Sequence, residues 1–310
     1  MDAEFNGTFI TLGGFVDVDK YRYLYFVIFL TLYILILFTN GTIICLICIH
    51  RNLHEPMYIF IAALSLNSLL FSTAIYPKLC IDVLSKKQTI SHSACMFQYC
   101  LYYSFAAADF LLLSAMAYDR YVSICQPLQY PTIMGKRTVI VLLTLAWFLP
   151  ACEVVVATVV NSQQKLCDFT TRGIVCNNTI VKLHCVKSAF LTFYSLFVTM
   201  NVVVVPVMFI LFTYTKIFII TYHSCAEVRK KAAETCFPHL MVLFIFLCLV
   251  LFDVVIARLE SDLPKIVRLI MTLQIVVYNP LFNPIMYGVK MKAIWKHIKR
   301  LFCRLVNKII

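Results

Sequence analysis

Seven stretches of the chain run with few polar interruptions, at about 23–49, 57–83, 96–122, 139–160, 190–220, 239–257 and 266–288. Short segments rich in Lys, Arg, Asp, Glu, Asn and Gln separate them. Each stretch has the length a helix needs to cross about 30 Å of hydrocarbon at roughly 1.5 Å per residue. In that medium every backbone N–H and C=O must be paired within the chain, and a continuous apolar run does so as a helix. The pattern predicts an all-α membrane protein, a seven-helix transmembrane bundle over residues 23–288 with a polar segment 1–22 before it. In the tail, 289–310, bases alternate with Ala293, Ile294, Trp295, Ile298, Leu301, Phe302 and Leu305. Such a basic amphipathic stretch lies on a membrane surface.

Composition agrees. The 310 residues are 62% hydrophobic and 14% charged, too oily for an ordinary soluble domain. The amino end lacks the short apolar core and small-residue cleavage site of a signal peptide, so the first helix is expected to insert uncleaved.

Lys and Arg in short loops set orientation. With the amino end outside, the inner segments carry Arg51, Lys136, Arg137, Arg229, Lys230 and Lys231, and the tail adds Lys290, Lys292, Lys296, Lys299, Arg300, Arg304 and Lys308. The inner acids are few (Glu55, Glu227, Glu234), whereas outer bases are offset by Asp2, Glu4, Asp17, Asp19, Asp82, Asp168, Glu260 and Asp262. The formal charge of +12 is thus an excess at the inner face, and its scatter over four short segments argues against a nucleic-acid partner.

Polar groups inside the spans are the candidates for chemistry. Asp109 lies in mid-membrane in the third span, and a buried acid there is a functional hypothesis by default. Glu153, in the outer half of the fourth span, could touch a ligand or make an interhelical hydrogen bond. Asp253, near the outer end of the sixth, could pair with Arg258 or Lys265. Asn40 reads as a helix-packing amide, and Lys78 as a base snorkelling to the outer face. Trp147, in the fourth span, reads as a packing aromatic. Pro206 interrupts the fifth span and is expected to kink it.

Of fourteen cysteines, ten fall in helices or inner segments and read as small buried hydrophobes. Cys45 and Cys48 have CxxC spacing in a lipid-spanning helix without a second pair, and His239 has no partner ligand, so no metal site and no cofactor are expected. Cys95, Cys167, Cys176 and Cys185 face outside, which suggests two disulfides with three possible pairings. Asn6-Gly7-Thr8 is a glycosylation sequon on the outer segment; Asn177-Asn178-Thr179 is a second, crowded by Cys176.

Several motifs carry a resemblance. MAYDRY at Met116–Tyr121, LHEPMY at Leu53–Tyr58, KAAETCFPHL at Lys231–Leu240 and PLFNPIMY at Pro280–Tyr287 resemble odorant receptors, a branch of the rhodopsin-like G-protein-coupled receptors. Ser68 stands where such receptors usually carry an Asp, which leaves the usual two-acid sodium site with Asp109 alone and leans toward a fish-like type. Leu247 likewise departs from a Tyr. The resemblance implies the pairings Cys95–Cys176 and Cys167–Cys185, and glycosylation at Asn6. It implies an activation switch of Asp119, Arg120, Tyr121, Tyr214, Lys231, His239, Asn283, Pro284 and Tyr287, with Arg120 restrained by Asp119 at rest and released to a G protein when the sixth helix swings out.

It further implies a small odorant ligand in an outer-half pocket. Helical facing and family analogy suggest Tyr102, Tyr103, Ala106, Ala107, Val198, Thr199, Val202, Leu251, Asp253 and Thr272 as walls. The partners would be a stimulatory, olfactory-type heterotrimeric G protein and the lipid bilayer, at the plasma membrane of sensory cilia. Cys303 is a candidate for palmitoylation. Val277 occupies the position of the retinal lysine of opsins, and Tyr102 that of the aspartate of amine receptors. A non-olfactory chemoreceptor is the alternative within the class. A transporter would want internal repeats with broken helices, and an enzyme a GxSxG, HExxH or P-loop; the chain has none of these.

Overall fold

Why the helices start where they do is local. Pro56 opens the second span, where its missing N–H costs no hydrogen bond, behind an extended Glu55. Ser91 caps the third span by accepting the Ala94 N–H at 3.3 Å, and Ser188 caps the fifth by accepting that of Leu191 at 3.3 Å. The computed structural model describes residues 9–186, 188–259, 264–291 and 294–300. Asn6, Cys303, and the side chains of Lys231 and Asp253 lie outside what it describes.

In chain order the elements are β1 (Phe9–Leu12), α1 (Val18–Ile49), α2 (Pro56–Leu84), β2 (Thr89–Ser91), α3 (His92–Cys125), α4 (Tyr130–Ile133), α5 (Lys136–Ser162), β3 (Thr170–Thr171), α6 (Ala189–Thr199), α7 (Val205–Tyr222), α8 (Ala226–Leu259) and α9 (Lys265–Lys290). Helices α1, α2, α3, α5, α8 and α9 are spans one, two, three, four, six and seven. The fifth span is α6 and α7 joined through a π-helical turn at Met200–Val204 just before Pro206, so it runs unbroken from Ala189 to Tyr222. A last helical stretch covers 294–300, with Ile294 and His297 buried and Trp295, Lys296, Lys299 and Arg300 exposed.

The packing inverts that of a soluble protein. Phe38, Phe148, Phe193, Phe218 and many other large apolar side chains are exposed on the outer surface of the bundle, as a helix set in lipid requires. Inside, one cluster gathers around Phe60, Leu112, Met116, Phe246 and Tyr287, and a second around Phe71, Tyr76, Tyr102 and Val276. A third, with Ile10, Leu12, Ile90, Cys95, Tyr99, Cys176 and Ile180, closes the end of the bundle that carries the disulfides.

Three features depart from the pattern-based reading. The segment before the first span is not merely polar: β1 alternates exposed and buried residues and pairs antiparallel with β2 and parallel with β3. The alternation is the strand period, and four residues are too few to stand out in a sequence. Gly14, just beyond β1, accepts no larger residue, because a Cβ there would sit 2.6 Å from the Gly173 carbonyl carbon. Second, α8 begins at Ala226, well before the apolar run at 239, because the Lys-, Ala- and Glu-rich flank is itself good helix former and extends the helix beyond the apolar run. Third, Lys78 does not simply snorkel: it pairs with Asp82 one turn on and donates to the Thr89 carbonyl at 2.9 Å.

Prolines in the seventh span expose acceptors that other helices fill. Pro284 has no N–H for the carbonyl of Pro280, and Asn40 Nδ2 of α1 donates to that carbonyl at 2.9 Å. Pro280 likewise frees the carbonyl of Val276, to which the buried Tyr76 hydroxyl donates at 3.4 Å. The packing role expected of Asn40 thus has a specific partner.

Candidate functional site

The polar end of α3 is built around Asp119, which is fully buried. Arg120 donates from Nε at 2.9 Å and from an Nη at 2.5 Å to its Oδ2. The other oxygen accepts the hydroxyl of Tyr130 at 2.8 Å. Tyr130 opens the short helix α4 in the loop after α3, so this loop is tied directly to the acid. Burial and the adjacent carboxylate push the Tyr130 hydroxyl well above the ordinary tyrosine range, which keeps it a donor. Tyr121 is half-buried against the cluster around Met116.

Beside this pair the fifth and sixth spans are joined. Tyr214 and His239, both buried, share a hydrogen bond of 2.5 Å between the hydroxyl and Nδ1. Tyr287 is buried in the same cluster, and its hydroxyl has no partner among the described residues. The structure therefore brings Asp119, Arg120, Tyr214, His239 and Tyr287 to one end of the bundle, with Asn283 and Pro284 buried in α9.

Asp109 stands at the centre of a second network. One oxygen accepts from Asn67 of α2 at 2.8 Å, and the other accepts from Asn279 of α9. Asn67 in turn accepts the indole N–H of Trp147 in α5 at 3.0 Å and donates to the Phe105 carbonyl at 2.8 Å. Asn283 donates to Asn279 at 3.4 Å. One acid thus connects spans two, three, four and seven. Its partners are amides rather than cations. Ser68, in the place of a second acid, donates to the Leu64 carbonyl of its own helix at 3.1 Å. Asp109 and Trp147 stand out in the sequence, but Asn67, Asn279 and Tyr130 do not; polar side chains within or beside apolar runs were the available signal.

The suggested ligand walls divide. Tyr102 is buried against Phe71 of α2, with ring centroids 5.4 Å apart, and Ala107 and Val202 are buried nearby on α3 and the π turn. Tyr103 is held from outside, accepting the Asn178 backbone N–H at 2.9 Å. Ala106, Val198 and Thr272 are half-buried. Leu251, 64% exposed, and Thr199, also exposed, do not join them. The correction has a simple cause: lipid-facing and pocket-facing positions are both apolar, so hydrophobicity alone does not separate them. A cavity of about 510 Å³ lies elsewhere, along α2 and α3 beside Leu70, Lys78, Phe97 and Leu101, and none of the suggested walls lines it. Glu153 accepts from Asn201 at 3.3 Å, the interhelical alternative of its two readings.

Over the third span sits the cystine loop. Cys95–Cys176 fastens it to α3 and Cys167–Cys185 closes it on itself. Asn177, the second sequon, is buried, and its side chain accepts the Thr179 N–H at 3.1 Å.

A bundle of membrane-length helices with a disulfide-anchored loop at one end, a paired Asp-Arg at the other and a buried acid between them defines a multi-pass membrane protein of the rhodopsin-like receptor class. A family model described as olfactory receptor matches residues 29–305. Human olfactory receptor 11A1 is 32% identical over 309 residues, covering 96% of this chain and 94% of its own length. Human olfactory receptor 10J4 is 34% identical, with 93% of each chain covered, and human olfactory receptor 2S2 is 35% identical, with 89% of each. The chain belongs to the olfactory receptor family, whose members are receptors and not enzymes.

Proposed function

We propose that the chain binds a small odorant among Tyr102, Tyr103, Ala106, Ala107, Val198, Val202 and Thr272, and answers by activating a stimulatory, olfactory-type heterotrimeric G protein that raises cAMP. It works at the plasma membrane of sensory cilia with the amino end outside. The observation that carries the reading is the restraint on Arg120: a buried carboxylate holds the guanidinium through two N–H groups at the end of α3. The Tyr214–His239 bond holds α8 against α7 alongside it. A ligand favouring the state in which α8 moves away breaks that bond and opens a cleft at Arg120, Tyr214 and Tyr287. The wall of the pocket and the restraint share α3, so a shift of that helix reaches both. The Asp109 network joins α3 to three other spans and transmits the shift.

The test is cAMP in cells co-expressing the chain with an olfactory-type stimulatory G protein, screened against amines, acids and steroid-like odorants. A response that Arg120→Ala removes at equal surface expression supports the reading. A response of equal size in the Arg120→Ala variant refutes the role given to that residue.

A further inference from the structure

The last helical stretch, 294–300, is held against the first span by a contact that the receptor reading does not use. His50 follows the last residue of α1 and His297 lies in the middle of the stretch, and their ring centroids stand 3.8 Å apart with the rings tilted by 50°. His50 is anchored on its own helix, where Nδ1 donates to the Leu46 carbonyl at 3.0 Å. His297 is 8% exposed, and its Nε2 lies 3.3 Å from Nδ2 of Asn52 in the first inner loop. A neutral ring accepts the amide N–H there; a protonated Nε2 would face it donor to donor. Ile294 beside it is fully buried, and a Cβ on Gly288 of α9 would meet Ile298 Cδ1 at 3.4 Å. The stretch therefore bears on α9 one residue beyond Tyr287.

The surroundings oppose a proton on either ring. On the stretch itself Lys296 and Arg300 flank His297, and Arg51 follows His50. The first inner loop adds Asn52 and His54, whose Nε2 is turned to the Cys48 carbonyl at 3.3 Å. From α9 come Gly288 and, at its end, Met291, neither of them charged. Among the described residues no carboxylate, Glu55 included, pairs with either ring. Burial first, and then the His50 ring and the Arg300 and Lys296 charges, hold His297 below the ordinary histidine range, so it is neutral near pH 7. Two like charges in ring-to-ring contact disfavour each other.

We propose that His50 and His297 form an acid-released latch: with both rings neutral the last helical stretch is docked on α1 and the first inner loop, and a proton taken up by the pair detaches it. The sign follows from linkage. A histidine held below its ordinary range while docked regains that range once the stretch is free. Docking is therefore complete above about pH 6.5 and weakens as pH falls through the lowered value. Release removes the packing of Ile298 on Gly288, next to Tyr287. With the amino end outside, the latch answers to the pH of the inner side.

The test follows hydrogen–deuterium exchange of the 294–300 amides in the full chain in lipid nanodiscs, with rates corrected for the intrinsic pH dependence of exchange. It needs neither odorant nor G protein, so it stands apart from the signalling reading. Between about pH 7.5 and 5.5, where an ordinary histidine changes charge, protection should fall by roughly threefold or more. His50→Phe combined with His297→Gln keeps a ring at the end of α1 and an amide facing Asn52 but leaves nothing in the latch to titrate, and there the fall should be absent. Histidine C2 hydrogen exchange, read by mass spectrometry on the unaltered protein, should give His297 a midpoint below the ordinary value of about 6.5; this arm needs no variant to fold. Protection that does not change with pH, an equal fall in the double variant, or a His297 midpoint at or above the ordinary value overturns the proposal.

Discussion

Asp119 accepts from Arg120 and from Tyr130, and the two bonds act on different elements: one restrains the guanidinium, the other holds the loop helix α4. Replacing the charge while keeping the shape separates them. In Asp119→Asn the amide oxygen can still accept from Tyr130, but the ion pair is gone. A hydrogen bond to a charged group contributes about 1.5–3 kcal/mol, and about 1.4 kcal/mol is a factor of ten. Basal cAMP should therefore rise by roughly ten- to a hundredfold in the released fraction, up to the ceiling set by full activation. Basal cAMP at matched surface expression checks this, and an unchanged level would show that the pair does not restrain the resting state. Asp119, Arg120 and Asp109 were legible in the sequence because charge in an apolar run is conspicuous. Their uncharged partners were not: Asn67, Asn279 and Tyr130 are ordinary polar residues until the helices are packed, and the sequence does not say which helix faces which.

The seventh span shows how an element can be destabilised by its own sequence and repaired by others. Pro280 and Pro284 leave the carbonyls of Val276 and Pro280 without their helical donors, and Tyr76 and Asn40 supply replacements from α2 and α1. Removing the second repair by Asn40→Leu leaves the Pro280 carbonyl without its donor from α1. The expected loss is about 1 kcal/mol, in the range found for interhelical hydrogen bonds in membranes. Thermal unfolding in detergent should show a lowered midpoint. Asn40→Leu combined with Pro284→Ala should lose less than the sum of the two, since alanine in place of Pro284 restores the N–H that the Pro280 carbonyl lacks. Additive losses would break the argument. The spans themselves were readable from hydropathy alone, down to the number and approximate bounds. What escaped was short or polar: β1, β2 and β3, with two to four residues each, and the start of α8 at Ala226, where helix extends beyond the apolar run. The π turn before Pro206 left no trace beyond the proline, because backbone register is not written in side-chain polarity.

The bundle as a whole has one end marked by disulfides and another marked by bases, and the two markings are independent. Cys95–Cys176 and Cys167–Cys185 form at the end where α3 begins, and disulfides persist in the oxidising compartment. Arg51, Lys136, Arg137 and Arg229 lie at or beside the opposite helix ends, where the positive-inside rule retains basic loops in the cytoplasm. Had the two criteria pointed to the same end, no orientation would satisfy both; they point to opposite ends, and one orientation does. In the orientation proposed here the amino end shares the outer side with the cystine loop, to which β1 is hydrogen-bonded through β3. An epitope at the amino terminus should stain on intact cells and one at the carboxyl terminus only after permeabilisation. Moving charge tests the cause: replacing Arg51, Lys136 and Arg137 with Gln together should leave a measurable fraction of chains inverted, seen as carboxyl-terminal staining on intact cells. If the triple variant keeps a single orientation, the basic loops are not what sets it, and the weight passes to the tail, whose seven Lys and Arg residues would then be the next to neutralise.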